Sequence, residues 1–207
     1  MKILSLDSSS PVASVAVVSF AHGTDPVVEY RSDTPHARSD SSALFAGLEA
    51  AVAACGLPDA LCVGTGPGSY NGLRAGIAAA RGFSTALGIP LHAIPSPLSL
   101  GASDQTYWAV GDARGGHYWI ACVGEGSFLE APVLLTPRET AIRLESRSGL
   151  PILGSSPLAE IPKLLVTTPD ATRLAILSKK TDPLTFTPEP LYLKPPHITA
   201  PRPLHSA

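Results

Sequence analysis

The chain has 207 residues, 44% of them hydrophobic and 15% charged, with a net charge of −2. That composition excludes a disordered chain, and the charge leaves no basic footprint for binding nucleic acid unaided. No run approaches the roughly 18–20 apolar residues of a membrane helix.

The opening MKILSLDSSS has one lysine and too short an apolar run for a secretory signal. Ile3 to Leu6 reads as a strand, Asp7 to Pro11 as a turn and Val12 to Val18 as a β-branched return strand, making an antiparallel hairpin. Val27 to Tyr30 adds a third strand. From Ser39 the apolar period changes, with Leu44, Phe45, Leu48, Ala51, Val52 and Cys55 on one helical face and Gly56 at its end. Ser39, Asp40 or Ser41 can cap that helix.

Leu61 to Val63 reads as a buried strand running into VGTGPGSYNGLRAG, Val63 to Gly76. Ser69 suits an N-cap for a helix reaching Leu87, which Gly88 and Pro90 stop. Leu91 to Ile94 is a short strand, and Pro95, Pro97 and Gly101 to Gln105 mark a boundary between halves. A second hairpin follows: Tyr107 to Val110, a turn at Gly111 to Gly116, and Tyr118 to Val123. Strands near Phe128 and Val133, a helix from Pro137 to Ser148, a short strand at Ile152 to Gly154 and a helix from Asp170 to Leu177 complete the half. Pro183 to Pro203 holds seven prolines and is expected to run extended over the surface. The order hairpin, helix, short strand occurs in both halves.

The glycine loop admits three readings. A phosphate-binding P-loop needs lysine and Ser or Thr after its last glycine, but Gly72 is followed by Leu73-Arg74. A dinucleotide fingerprint needs Gly-x-Gly-x-x-Gly, and Pro67 breaks that spacing and removes a donor. The third reading is structural. Gly66-Pro67-Gly68-Ser69 turns a strand sharply into a helix, and Gly72, Gly76, Ala79, Ala80 and Gly82 give that helix small surfaces. Each interior glycine costs about 0.8–1 kcal/mol relative to alanine, a cost that close packing against another helix or a partner would offset. Asp7 ends the first strand where an actin-like ATPase places a carboxylate, or it is a turn aspartate. The six histidines show no metal-binding pair spacing, Ser8 to Ser10 form no nucleophile elbow, and Asp112-Ala113-Arg114 reads as a local ion pair at a turn. Cys55, Cys62 and Cys122 are an odd count without ligand spacing, which suits a reducing compartment, so the cytoplasm is the expected location.

Four segments in order, ILSLDSSSPVASVAVV, GTGPGSYNGLRAGIAAARGFSTALGIPLHAIPS, GDARGGHYWIA and PLYLKPP, resemble the TsaB (YeaZ) family from Ile3 to Pro196. The family pattern has threonine where this chain has Asn71, isoleucine at Ala75 and glutamate at His117. The resemblance implies an α/β, two-lobed actin-like (ribonuclease H-like) fold. Residues 1–103 would form the N-terminal lobe, 104–182 a reduced C-terminal lobe and 183–207 the tail. It also implies a non-catalytic scaffold with no metal and no catalytic residue of its own. Such a protein works with TsaD and TsaE in threonylcarbamoylation of adenosine 37 in tRNAs decoding ANN codons, meeting tRNA only through the complex. It would homodimerise when alone. The implied docking surface is Leu44, Leu48 and Val52 on the first helix, with Leu73, Gly76, Ile77 and Ala80 on the second. Asp7, Gly66, Pro67, Gly68, Ser69, Gly72 and Arg74 would then be a structural turn or a degenerate phosphate loop. ATP or ADP would enter only at an interface shared with TsaD. The metal-holding H-x-x-x-H of TsaD-like enzymes is absent, since His36-Ala37-Arg38-Ser39-Asp40 has no second histidine. The rival is an active actin-like ATPase or group transferase using Asp7; the older glycoprotease label of relatives has no support in these residues.

Overall fold

The computed structural model describes residues 1–36, 40–102 and 104–194. Ser39 and the tail beyond Lys194 lie outside the described residues.

Two five-stranded mixed sheets are built to one plan. In the first, β1 (Lys2–Asp7), β2 (Val12–Ser19) and β3 (Val27–Pro35) form an antiparallel meander, and β4 (Ala60–Gly64) and β5 (Leu91–Ile94) add parallel strands beyond β1. The order is β3-β2-β1-β4-β5. The second sheet repeats it with β6 (Tyr107–Asp112), β7 (Tyr118–Gly124), β8 (Ser127–Leu135), β9 (Ile152–Gly154) and β10 (Leu164–Val166), ordered β10-β9-β6-β7-β8. Third-second-first-fourth-fifth order with an antiparallel second strand is the ribonuclease H-like plan, here used twice.

Helices α1 (Ser42–Cys55) and α2 (Tyr70–Leu87) are the crossovers of the first sheet, as parallel strands require. They cover one face, where Leu4, Leu6, Val15 and Val17 meet Leu44, Leu48, Ile77 and Ala80. In the second sheet only the β8-to-β9 crossover is helical, α3 (Pro137–Glu145), started by a Thr136/Glu139 capping box. The β9-to-β10 connection carries no helix, which makes this lobe the smaller one. Helix α4 (Ala171–Lys180) returns to the first lobe. Its Leu174 and Ala175 share a core with Ile3, Val18 and Cys62 of the first sheet and Trp119 and Leu153 of the second. Ser5 and Ser14 make room for it: Ser5 donates to Ala171 O at 2.5 Å, and Ala171 N donates to the Ser14 hydroxyl at 3.0 Å.

Several elements differ from the sequence reading. Strand β3 continues to Pro35 because it pairs with β2 along its whole length. The segments near Phe128 and Val133 are one strand, and its irregular pairing opposite Cys122 hides the alternation. Strand β10, with Leu165 and Val166 exposed, had no periodic signal to find. The proline-marked boundary holds a 3-10 turn, Ser96–Ser99, buried throughout. Among the described residues no helix is long and apolar enough to cross a membrane.

Candidate functional site

The glycine loop begins where β4 ends, beside the C-terminal end of β1. Asp7, at the last position of β1, is 1% exposed. Its Oδ1 accepts from Ser9 N at 2.8 Å and the Ser9 hydroxyl at 2.6 Å, and its Oδ2 accepts from the Ser96 hydroxyl at 2.5 Å. Burial lifts the carboxyl above its ordinary value of 3.8, and the Ser9 and Ser96 hydrogen bonds pull the other way. The same Ser96 oxygen accepts from Gly66 N at 2.8 Å, so one serine fastens the carboxylate to the loop.

Gly66 has φ +85, and its peptide to Pro67 is cis. That region of φ is open to glycine and strained for other residues. Ser69 caps α2 by accepting from Gly72 N at 3.3 Å, and Ser69 N donates to Ser9 O at 2.7 Å. A Cβ on Gly72 would lie 1.9 Å from Ser8 O, and one on Gly68 2.2 Å from Ser9 O. Ser8 Oγ donates to Gly72 O at 2.8 Å, and a Cβ on Gly76 would meet that Oγ at 2.5 Å. The glycines are therefore small so that α2 can press against the chain's own Ser8–Ser9 turn. The approaching group is a turn of the first hairpin and not a helix.

This geometry relocates the residues expected at a docking surface. Leu44, Leu48, Leu73, Gly76, Ile77 and Ala80 are all buried, and Val52 is half-buried. They hold α1 and α2 on the sheet. The outward faces carry other residues: Phe45, Ala46, Glu49, Ala50, Ala53 and Ala54 on α1, and Tyr70, Asn71, Arg74, Ala78, Arg81, Gly82, Thr85 and Ala86 on α2. The two helices thus present a face rich in small side chains, with Glu49, Arg74 and Arg81 as its charged members. A cleft of about 130 Å³ lies at their N-terminal ends, lined by Ser8, His36, Asp40, Asn71, Gly72 and Ala75 among others. There, His36 Nε2 lies 3.1 Å from Ser10 O.

Arg74 is exposed and lies over the Tyr70 ring, 5.3 Å from its centroid, while donating to the Tyr70 hydroxyl at 2.7 Å. At the second hairpin, Asp112 Oδ1 accepts from Arg114 N at 2.7 Å, with Arg114 at φ +57. The expected Asp112–Arg114 ion pair is therefore an Asx turn instead. Among the described residues no group of three or more His, Cys, Asp or Glu is arranged to hold a metal ion. Sequence reasoning missed Ser96 as the partner of Asp7, because 89 residues separate them and nothing local links them.

A family model described as TsaD, tRNA N6-adenosine threonylcarbamoyltransferase, matches residues 35–114. An uncharacterized protein of Mycobacterium leprae is 29% identical over 158 residues, which is 74% of this chain and 43% of that one. An uncharacterized protein of Mycobacterium tuberculosis is 35% identical over 103 residues, 48% of this chain and 47% of it. The chain thus spans less than half the length of the curated relatives it matches. Two solved structures from Pseudomonas aeruginosa are similar over 93% of this chain and 99% of theirs. One is of an uncharacterized protein with similarity to peptidase YEAZ, with TM-score 0.68 and 21% identity; the other is of YeaZ, with TM-score 0.67 and 22% identity. The chain has the YeaZ fold over nearly its whole length.

Proposed function

We propose that this chain is a TsaB-type scaffold subunit. It docks TsaD through the outer face of α1 and α2, with TsaE completing the assembly that threonylcarbamoylates adenosine 37 of tRNAs decoding ANN codons. The observation that carries this reading is the outer face itself: two helices from the lobe that the TsaD model partly matches, with Ala46, Ala50, Ala53, Ala78 and Gly82 exposed. A Cβ on Gly82 would meet nothing within 4 Å, so its smallness serves no contact inside this chain. Small side chains let two helix backbones approach closely, and Phe45, 49% exposed, supplies an apolar anchor beside them. With no partner present, two copies cover the same faces as a homodimer.

The scaffold reading assigns no chemistry to this chain. The rival, an ATPase or group transferase using Asp7, loses its reactive group to burial and to three donors that occupy the carboxylate. ATP or ADP, where it acts, binds at an interface shared with TsaD. The tRNA meets the assembly through the partner subunits, a reading supported by the lack of a net basic charge on this chain, −2. The setting is the cytoplasm.

Co-purification with TsaD tests the assignment. Ala78→Arg and Ala50→Arg place a long cation on the exposed face and should abolish the complex while leaving the circular dichroism spectrum and melting temperature unchanged. Complex formation at wild-type level by both variants would refute this surface.

A further inference from the structure

Residues 181–194, after α4, have no regular structure, yet they touch both lobes. On the N-terminal lobe, Leu191 N donates to Thr65 O at 2.8 Å, beside the glycine loop. The Tyr192 ring stacks on Tyr70 with centroids 5.4 Å apart and planes inclined by 26°. Glu189 lies 3.8 Å from Arg81, so the tail follows α2 from Arg81 back toward its start. On the C-terminal lobe, Lys194 Nζ donates at 2.7 Å to Arg114 O, in the turn between β6 and β7. Phe186 and Leu193 rest against the core shared by the two sheets.

We infer that residues 183–194 form a releasable latch that couples the Thr65 loop of one lobe to the Arg114 turn of the other across the core the lobes share, with the Tyr192–Tyr70 stack as its lock. The contacts have the character of a latch and not of a core element. Beside the half-buried Phe186 and Leu193 and the Tyr192–Tyr70 stack, its polar ties to the lobes are one main-chain hydrogen bond, one ammonium-to-carbonyl bond and one exposed ion pair, and exposed ion pairs contribute little. Leu184 is 90% exposed and Tyr192 46%. Beneath it, Phe186 borders an apolar cavity of about 200 Å³ with Ile94, Leu98, Phe128 and Leu177, so the underside is incompletely filled. Segments with few buried contacts open at a free energy far below that of global unfolding. Pro183, Pro188 and Pro190 keep the released segment extended and lower the entropy cost of closing again. Release would uncouple the Thr65 loop of one lobe from the Arg114 turn of the other.

Hydrogen exchange on the isolated full chain tests this without any partner. The reporters are the amides of Thr65, Ser69 and Ala113, which donate to Ile94 O, Ser9 O and His117 O. Tyr192→Ala combined with Glu189→Ala removes two exposed side chains, so the fold is retained. The expected result is exchange about tenfold faster at all three amides together, with sheet amides unchanged. Tyr192→Phe keeps the stack and should exchange like the wild type. Acceleration confined to residues 183–194, acceleration in one lobe alone, or none at all overturns the latch. Equal acceleration by Tyr192→Phe overturns the stack as its lock.

Discussion

The Ser96 hydroxyl donates to Asp7 Oδ2 at 2.5 Å across 89 residues of chain, and both side chains are sealed from solvent. This single bond ties the end of the first strand to the 3-10 turn that leads into the second lobe. Because Ser96 also accepts from Gly66 N, its removal strands a buried carboxylate oxygen and a buried amide together. Each unsatisfied buried group costs about 1–3 kcal/mol. Ser96→Ala should therefore lower stability by roughly 2–6 kcal/mol in urea unfolding. At about 2–4 °C per kcal/mol for a chain of this size, the melting temperature should fall by roughly 4–24 °C. A loss under about 0.5 kcal/mol would mean the network is relieved by water.

The Asp7 carboxyl also makes a pH prediction. Burial raises its folded value above 3.8, so between 3.8 and the raised value the folded chain binds more protons than the unfolded chain. Stability then falls with rising pH across that window: the contribution of Asp7 is complete below 3.8 and is lost as pH passes the folded value. Carboxyls such as Glu139 and Glu160, held below their ordinary value first by hydrogen bonds from Thr136 and Tyr118, act with the opposite sign. The Asp7 effect is therefore read from the difference between wild type and Asp7→Asn in urea unfolding at a series of pH values. Relative to the variant, the wild type should lose stability as pH rises; a flat difference would show that Asp7 titrates as an ordinary carboxyl.

Two glycines of α2 should respond in opposite directions to the same substitution. At Gly72 a methyl group would lie 1.9 Å from a backbone oxygen that cannot move without unseating the Ser8 turn. Gly72→Ala should cost more than about 3 kcal/mol or prevent folding. At Gly82 the methyl group meets open space, and only helix propensity acts, so Gly82→Ala should stabilise by about 0.8–1 kcal/mol. Thermal melts of the two variants check both directions. By the same reasoning Gly76→Trp and Ala80→Arg disrupt the fold itself, so loss of a partner in those variants carries no information about the docking face.

Patterns that are local in sequence were legible. The Val12–Val18 run, the Ser69 cap and the Gly88 stop each rest on neighbours within a few residues, and β2 and α2 form there. The recurrence of hairpin, helix and strand in both halves was legible because both sheets use one topology, while the two-lobed fold itself was implied by the family resemblance. The outward face of α2 was not legible. Sequence places Gly76, Ala79, Ala80 and Gly82 on the helix as small residues alike, but only the approach of Ser8, a tertiary contact, makes Gly76 an inward residue and leaves Gly82 outward. Likewise, nothing in the Asp170–Leu177 pattern says that this helix crosses back to the first sheet; Ser5 and Ser14 make the crossing possible from 157 or more residues away.

The thiols give a prediction that depends only on burial. Cys62 and Cys122 are fully enclosed, and burial pushes both thiols up from 9.0, Cys62 furthest; its hydrogen bond from Ser178 offsets part of that rise. Cys55, at the end of α1, is half-buried and also raised, first by burial and then by the Glu29 charge. Reaction with a disulfide reagent requires thiolate and access together. The native chain at pH 7 should therefore show no fast-reacting thiol: Cys55 should react slowly, and Cys62 and Cys122 only at the rate of unfolding. In urea all three should titrate rapidly. The order of modification, followed by peptide mass analysis over time, checks this. Fast labelling of Cys62 in the native chain would mean that the contact between α4 and the first sheet opens readily, since the Cys62 sulfur lies 3.5 Å from Leu174 O within that contact.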